Sequence, residues 1–270
     1  MQEALISPNA IIESGAKIGK NVKIGHFCVI GKNVKIGDNC QIANNVTISG
    51  HTKIGNNNKI YSNACIGTHP QDLKYANEPT ELVIGDDNII RECVTMNTGT
   101  VGGSGVTRVG NKNLFMAYAH IAHDCQVGDE CIFANVATLG GHVKVGNYVN
   151  MGGLTAAHQF VQIGDGCMLA GGSILVQDLP PYSMAHGSHA YIRGLNKHRM
   201  RKIFNSKEID EISALYKRLY SRTAPLKELV KKELDSKEIT QTMRYICEFI
   251  LGATRGIPFR GGNNHSEGNE

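Results

Sequence analysis

The chain has 270 residues, 28 Lys and Arg against 24 Asp and Glu, and a formal charge of +4, enough material for one long regular domain and a small second one. Met1–Pro8 carries no apolar run and no later stretch reaches membrane-spanning length, so neither a secretory leader nor a transmembrane segment is expected and the cytoplasm is the expected location. Few aromatics interleave with the basic residues and no nucleic-acid motif is present, so no nucleic-acid partner is expected.

From the N-terminus, Ile12, Ile18, Ile24, Ile30, Ile36, Ile42, Ile48, Ile54, Ile60 and Ile66 stand six residues apart, and a small or β-branched side chain follows most of them four residues later. The rhythm returns at Ile84, Ile90 and Met96 and runs again from Val109 to Leu175. A helix needs apolar residues every three or four positions and an amphipathic strand needs alternation, so neither explains a period of six. A short strand, a corner and another short strand do. Gly and Asn after the apolar residue, as in Ile36-Gly37-Asp38 and Val145-Gly146-Asn147, tolerate the positive φ of tight corners. Three hexads close a triangular coil of eighteen residues, and coils stack as parallel strands at about 4.8 Å. The predicted fold is an all-β solenoid of about eight coils, spanning residues 1–190.

Two interruptions break the hexads, Thr68–Pro79 and Asn97–Gly105, and both are predicted to wall a site. After Pro180-Pro181 the chain turns off the solenoid, and residues 191–260 are predicted to form an α-helical C-terminal domain. Asn205 with Glu208 reads as a capping signal ahead of Ile209, Ile212, Leu215, Tyr216 and Leu219; Pro225 opens a further helix, and Ile239 to Ile250 fits another. Residues 261–270 are predicted to be a disordered tail.

Of eight cysteines, Cys28, Cys40, Cys125, Cys131 and Cys167 occupy the small inward hexad position, and Cys65, Cys93 and Cys247 form no C-x-x-C pair, so all are expected to be packing thiols and no metal is assigned to them. The charge is uneven. Residues 193–260 hold 16 Lys and Arg against 8 Asp and Glu, a local +8, which suits docking of an acidic macromolecule.

An eighteen-residue coil makes residues i and i+18 neighbours on one face. His123 then lies under Gly141 and Gln159, Asp124 under His142 and Phe160, and Ala122 under Gly140 and His158, with His120 close by. Imidazole suits general-base work near neutrality, and Gly140-Gly141 leaves a peptide N–H approachable for an oxyanion. Asp124 can orient an imidazole if the corner bends its side chain back. No Ser or Cys has a matching base, so direct attack by a substrate hydroxyl is expected in place of a covalent enzyme intermediate.

Gly50-His51-Thr52-Lys53-Ile54-Gly55, Pro70-Gln71-Asp72-Leu73-Lys74-Tyr75, Ala119-His120-Ile121-Ala122-His123-Asp124-Cys125, Leu139-Gly140-Gly141-His142-Val143 and Ala157-His158-Gln159-Phe160 closely resemble the UDP-N-acetylglucosamine acyltransferases that begin lipid A synthesis, over nearly the whole chain. The resemblance implies a left-handed parallel β-helix assembled as a homotrimer with sites between subunits. It implies transfer of a 3-hydroxyacyl group from acyl carrier protein to the 3-position of a UDP-amino sugar, with no cofactor. By motif, His123 would be the general base, the Gly141 N–H the oxyanion donor and Asp124 a catalytic partner. Asp72, Lys74, Asn97, His120, His142, His158 and Gln159 would line the substrate sites. Gly171 would set the acyl groove depth, and Arg199, Arg201 and Lys202 would dock the carrier protein.

The family commonly has His-Arg where this chain has Asn97-Thr98, a difference compatible with a 3-hydroxy or a 3-amino acceptor, hence ester or amide. Two other readings use the same solenoid: a γ-class carbonic anhydrase with zinc on His120, His123 and His142, and a non-catalytic scaffold. The first leaves the polar loop and basic cap unexplained.

Overall fold

The structure is a computed structural model that describes residues 6–258. The expected tail at 261–270 lies outside the described residues.

Short strands, most of two residues and most ending on the apolar residue of a hexad, alternate with tight corners and, among the described residues, hydrogen-bond into three sheets of nine, eight and ten strands. Up to Leu175 each sheet is built from every third strand, so one coil contributes one strand to each face. The fold is a left-handed parallel β-helix. Register follows the eighteen-residue rule where the hexads are unbroken: Ile12 pairs with Ile30, Phe115 with Phe133 and Leu139 with Ala157. The two interruptions only lengthen individual coils. Ile54 pairs with Ile84 across the first and Ile84 with Val109 across the second.

The interior is a single column of one large and one small side chain per hexad. Ile30, Ile48, Ile66, Ile90, Met96, Phe115, Ile121, Phe133 and Leu139 are fully buried, with Phe115 and Phe133 stacked at 4.9 Å between ring centroids. Cys28, Cys40, Cys125, Cys131 and Cys167 are also fully buried at the small positions. All eight cysteines are unpaired. Burial pushes the Cys125 and Cys131 thiols up to about 12, so both stay protonated and inert.

The corners carry the residues in left-handed backbone. One column runs Asn21, Asn39, Asn57, Asp87, Lys112, Glu130 and Tyr148; a second runs Phe27, Asn45, Asn63, Cys93, Tyr118, Val136 and Leu154; a third includes Asp124, His142 and Phe160. Asn and Asp accept this conformation readily, whereas Val136 at φ 64° is held there by the coils on either side.

The solenoid extends past the expected boundary at 190. After Pro180-Pro181, Ser183–His186 still pairs in parallel with the coil before it, and Tyr191–Leu195 folds back antiparallel and closes that sheet. Four helices follow among the described residues: α1 Lys197–Ile203, α2 Ser206–Leu219, α3 Leu226–Leu234 and α4 Gln241–Leu251. The Asn205–Glu208 capping box opens α2 as read from the sequence, and Pro225 immediately precedes α3. Met200, Leu215, Val230, Ile246 and Cys247 form a separate small core. Two buried groups tie it to the solenoid: the Tyr216 hydroxyl donates to the Pro181 carbonyl at 2.6 Å, and the Asp178 carboxylate accepts from Gln162, Thr254 and Arg255 N–H groups. No described helix is long and apolar enough to cross a membrane.

Candidate active site

Three successive coils stack His123-Asp124, Gly141-His142 and Gln159-Phe160 at one corner, with the His142 N–H donating to the His123 carbonyl and the Phe160 N–H to the Gly141 carbonyl. Asp124 has φ 61°, and this turn folds its carboxylate back toward the preceding side chain, which two neighbours on an extended strand cannot achieve. His123 Nδ1 therefore lies 2.9 Å from Asp124 Oδ2. The His123 side chain is 13% exposed and the Asp124 side chain 1%. With Nδ1 turned to the carboxylate, Nε2 faces the open corner.

Gly141 lies flush against that ring. A Cβ on residue 141 would sit 2.6 Å from His123 Nε2, inside contact distance, so glycine is what lets imidazole and peptide meet. Among the described residues no protein group accepts the Gly141 N–H. An imidazole nitrogen and a free peptide donor thus face one small space, the arrangement that removes a proton and holds the oxyanion formed nearby.

His142 stacks flat on Phe160 at 4.5 Å and meets His123 edge-on at 5.0 Å. Burial lowers its pKa, His123 adds to this, and Asp124 and Asp72 oppose it. Burial likewise lowers His120, whose Nδ1 lies 2.7 Å from Thr95 Oγ1. Both rings are held neutral in the range where an ordinary imidazole begins to charge. For Asp124, burial works against ionisation, but hydrogen bonds from His123 and from the hydroxyl and N–H of Thr100 outweigh it, so the carboxyl stays below the usual range and remains an anion.

The remaining predicted residues scatter more. Asp72 is half-buried, close enough to act electrostatically on His142, and Lys74 is exposed on the same loop with its N–H donating to Asp72 Oδ1. His158 and Gln159 are exposed at the open end of the corner. Asn97 is 2% exposed and sits beneath the first loop, its amide donating to Thr68 Oγ1 and the His69 carbonyl at 2.9 Å, which makes it an anchor of that loop; its Oδ1 is buried without a partner. Gly171 is exposed, and a Cβ there would meet the Gly153 backbone, its carbonyl oxygen at 3.3 Å and its nitrogen at 4.0 Å. Arg201 and Lys202 are exposed on α1, whereas Arg199 is half-buried with its guanidinium 5.6 Å from the centre of the Tyr148 ring.

The second interruption is not a loose wall. Thr100 and Ser104 wrap the Asp124 carboxylate, contacts that no spacing rule revealed. Thr95 was also missed. His123, Asp124 and His142 offer ligand atoms within 4.8 Å of one another, which a divalent cation could accept; His120 is not among them, so the three-histidine zinc set is not assembled within one chain.

A three-sided hexapeptide coil with an imidazole–carboxylate pair facing a free peptide N–H defines the class of hexapeptide-repeat transferases. The model described as bacterial transferase hexapeptide (six repeats) matches residues 1–32 and 33–68, and that described as UDP-N-acetylglucosamine O-acyltransferase, domain 2, matches residues 178–258. The acyl-(acyl-carrier-protein):UDP-N-acetylglucosamine O-acyltransferase of Aliarcobacter butzleri is 51% identical over 255 residues, covering 94% of this chain and 98% of that one. Its Helicobacter pylori counterpart is 52% identical over 204 residues, 76% of each chain. A crystal structure of UDP-N-acetylglucosamine acyltransferase superposes with TM-score 0.94 at 51% identity over 96% of this chain and 100% of that one, and the Campylobacter jejuni enzyme with TM-score 0.91 at 42% identity over 95% and 100%. The chain belongs to the UDP-N-acetylglucosamine O-acyltransferase family.

Proposed function

We propose that this chain transfers a 3-hydroxyacyl group from acyl carrier protein to the 3-hydroxyl of UDP-N-acetylglucosamine, the opening step of lipid A synthesis, in the cytoplasm. The observation that carries this reading is the apposition of His123 and Gly141 in a chain of this family. The carrier thioester lies with its carbonyl oxygen at the Gly141 N–H, and the sugar 3-hydroxyl faces His123 Nε2. His123 takes the hydroxyl proton as the oxygen attacks the thioester carbon. The resulting oxyanion is held by the Gly141 N–H, a contact whose removal in comparable sites costs about 10²–10³ in rate. Collapse expels the carrier thiolate, which takes the proton from the imidazolium, so the enzyme ends as it began. Asp124 keeps Nδ1 protonated and stabilises the transient positive charge.

The sugar sits by the loop bearing Asp72 and Lys74, with His120, His142, His158 and Gln159 along the path to the thioester. The acyl chain runs toward Gly171, where the missing side chain leaves length. A homotrimer supplies the facing wall. Tyr118, Val136 and Leu154, 62%, 40% and 69% exposed in one corner column, support a covered apolar edge there. The exposed Arg201 and Lys202 suit the acidic carrier protein, with Arg199 bracing their helix against Tyr148.

The partnerless Asn97 Oδ1 favours keeping a second acceptor in view, because a buried carbonyl oxygen beside the sugar loop accepts an N–H as readily as an O–H. One assay decides between them. Purified protein is offered UDP-N-acetylglucosamine or its 3-amino analogue, with carrier-linked 3-hydroxyacyl chains of graded length, and products are weighed by mass spectrometry. An ester of UDP-N-acetylglucosamine is expected; amide alone would move the acceptor to the amino sugar, and no product from either would reject the reading.

A further inference from the structure

The Asp124 carboxylate lies within reach of two imidazoles, 2.9 Å from His123 Nδ1 and 3.9 Å from His142 Nδ1, both through Oδ2. A carboxylate free to turn would divide itself between them. It is not free. Thr100 Oγ1 donates to Oδ2 at 2.7 Å, the Thr100 N–H straddles both oxygens at 3.1 Å, and the Ser104 N–H donates to Oδ1 at 2.9 Å. The segment closes on itself, with the Gly103 and Gly105 N–H groups both donating to the Thr100 carbonyl. Asp124's own N–H donates to Thr107 Oγ1, fixing the backbone beneath. Gly103 passes so near that a Cβ there would collide with the carboxylate carbon and both its oxygens. Thr100 and Asp124 are 6% and 3% exposed, so water does not compete for these bonds.

We propose that the segment Gly99–Gly105 is a carboxylate clamp, with Thr100 as its positioning residue, that sets the rotor of Asp124 so that His123 and not His142 receives the carboxylate. The clamp acts through Asp124 and touches neither substrate. Its consequence is the tautomer of His123: the proton is pinned on Nδ1 and the lone pair left on Nε2. This rests on the reading of His123 as the general base, whose contribution is typically about 10²–10⁴ in rate. Three anchored donors also explain why a carboxylate in a dry corner stays ionised.

The test compares Thr100→Val, Thr100→Ser and Gly103→Ala in the full-length protein, reading kcat, KM for both substrates, melting temperature and the ring ¹⁵N shifts of the histidines. Thr100→Val keeps shape and peptide N–H groups but loses the hydroxyl. It should lower kcat about 10- to 100-fold, a part of the general-base contribution, with each KM within about twofold and a measurable gain of the Nε2–H tautomer at His123. Thr100→Ser restores the hydroxyl and should recover kcat to within about threefold. Gly103→Ala pushes on the carboxylate from the other side and should reproduce the Val variant, which keeps the test open if Thr100→Val does not fold. Lost kcat with an unchanged tautomer, or wild-type kcat with an unchanged tautomer, overturns the clamp. A shifted tautomer with wild-type kcat leaves the clamp standing and overturns His123 as the base.

Discussion

Two corners of the same prism share one backbone and do opposite things. At the corner of Asn21, Asn39, Asn57 and Asp87, the residue just before each left-handed position is Asp or Asn in every coil from Asp38 to Asp165. Its side-chain oxygen accepts the N–H of the equivalent residue one coil below: Asp38 takes Lys20, Asn56 takes Asp38, Asp86 takes Asn56, Asn111 takes Asp86, Asp129 takes Asn111, Asn147 takes Asp129 and Asp165 takes Asn147. Glycines such as Gly110 leave the room this ladder needs. The corner is saturated and inert. At the corner of Asp124, His142 and Phe160 the corresponding positions are His123, Gly141 and Gln159, and the ladder is broken twice: Gly141 has no side chain to accept the His123 N–H, and among the described residues Gln159 does not accept the Gly141 N–H. The peptide donor that elsewhere stabilises the fold is left for a ligand, and the space an Asp would fill holds an imidazole. Function here is the local removal of a repeat's own stabilising device.

That comparison breaks most sharply by making the active corner resemble the inert one. Gly141→Asn places a side chain where the His123 ring lies; acyl transfer should fall about 10³-fold, as a displaced base implies, while the melting temperature holds or rises. Gly141→Ala should lose about 10²-fold, because its Cβ alone crowds Nε2. A fully active Gly141→Asn variant would remove the distinction between the corners.

Reversing charge at Arg201 and Lys202 tests the cap without touching either corner. KM for the carrier-linked donor should rise about tenfold at low salt and the effect should shrink as salt screens it, with kcat little altered. An equal effect at every ionic strength would argue against docking by charge. On the inert corner, Asp129→Ala frees the Asn111 N–H that it holds at 2.7 Å and should cost about 1 kcal/mol in urea unfolding with unchanged turnover. A loss of turnover would mean the two corners are coupled.

The smallest effect lies in pH. His120 and His142 have pKa values lowered from 6.5, so the folded state resists protons that the unfolded chain takes up once pH drops below that value. Stability contributed this way is present above 6.5 and is lost as pH falls through the depressed folded values. A His120→Asn, His142→Asn variant should show a shallower loss of urea midpoint than the parent between about pH 7 and about pH 5, an interval that spans the ordinary imidazole value of about 6.5.

Most of the fold was legible because a hexad repeat is a local rule applied many times. Ile12 to Leu175 fixed the strands, and the same arithmetic put His123 beneath Gly141 and Asp124 beneath His142. The rule fails where the period breaks. Between Met96 and Ile121 the coil is longer, so nothing in the spacing shows that Thr100 and Ser104 fold back onto Asp124, and a Gly-rich run reads as slack when its glycines permit close approach. Asn97 shows the same limit: its polarity beside a loop suggested a substrate contact, and nothing in the spacing shows that its amide also anchors that loop. The strand at Tyr191–Leu195 lacks the hexad and was assigned to the helical domain, although it hydrogen-bonds to the last coil.

The most direct measurement is product formation from carrier-linked 3-hydroxyacyl donor and UDP-N-acetylglucosamine by His123→Ala, beside the parent protein, across pH. The account predicts a fall of about 10²–10⁴ or more at every pH. A variant that keeps the parent's rate and the parent's pH profile would contradict it.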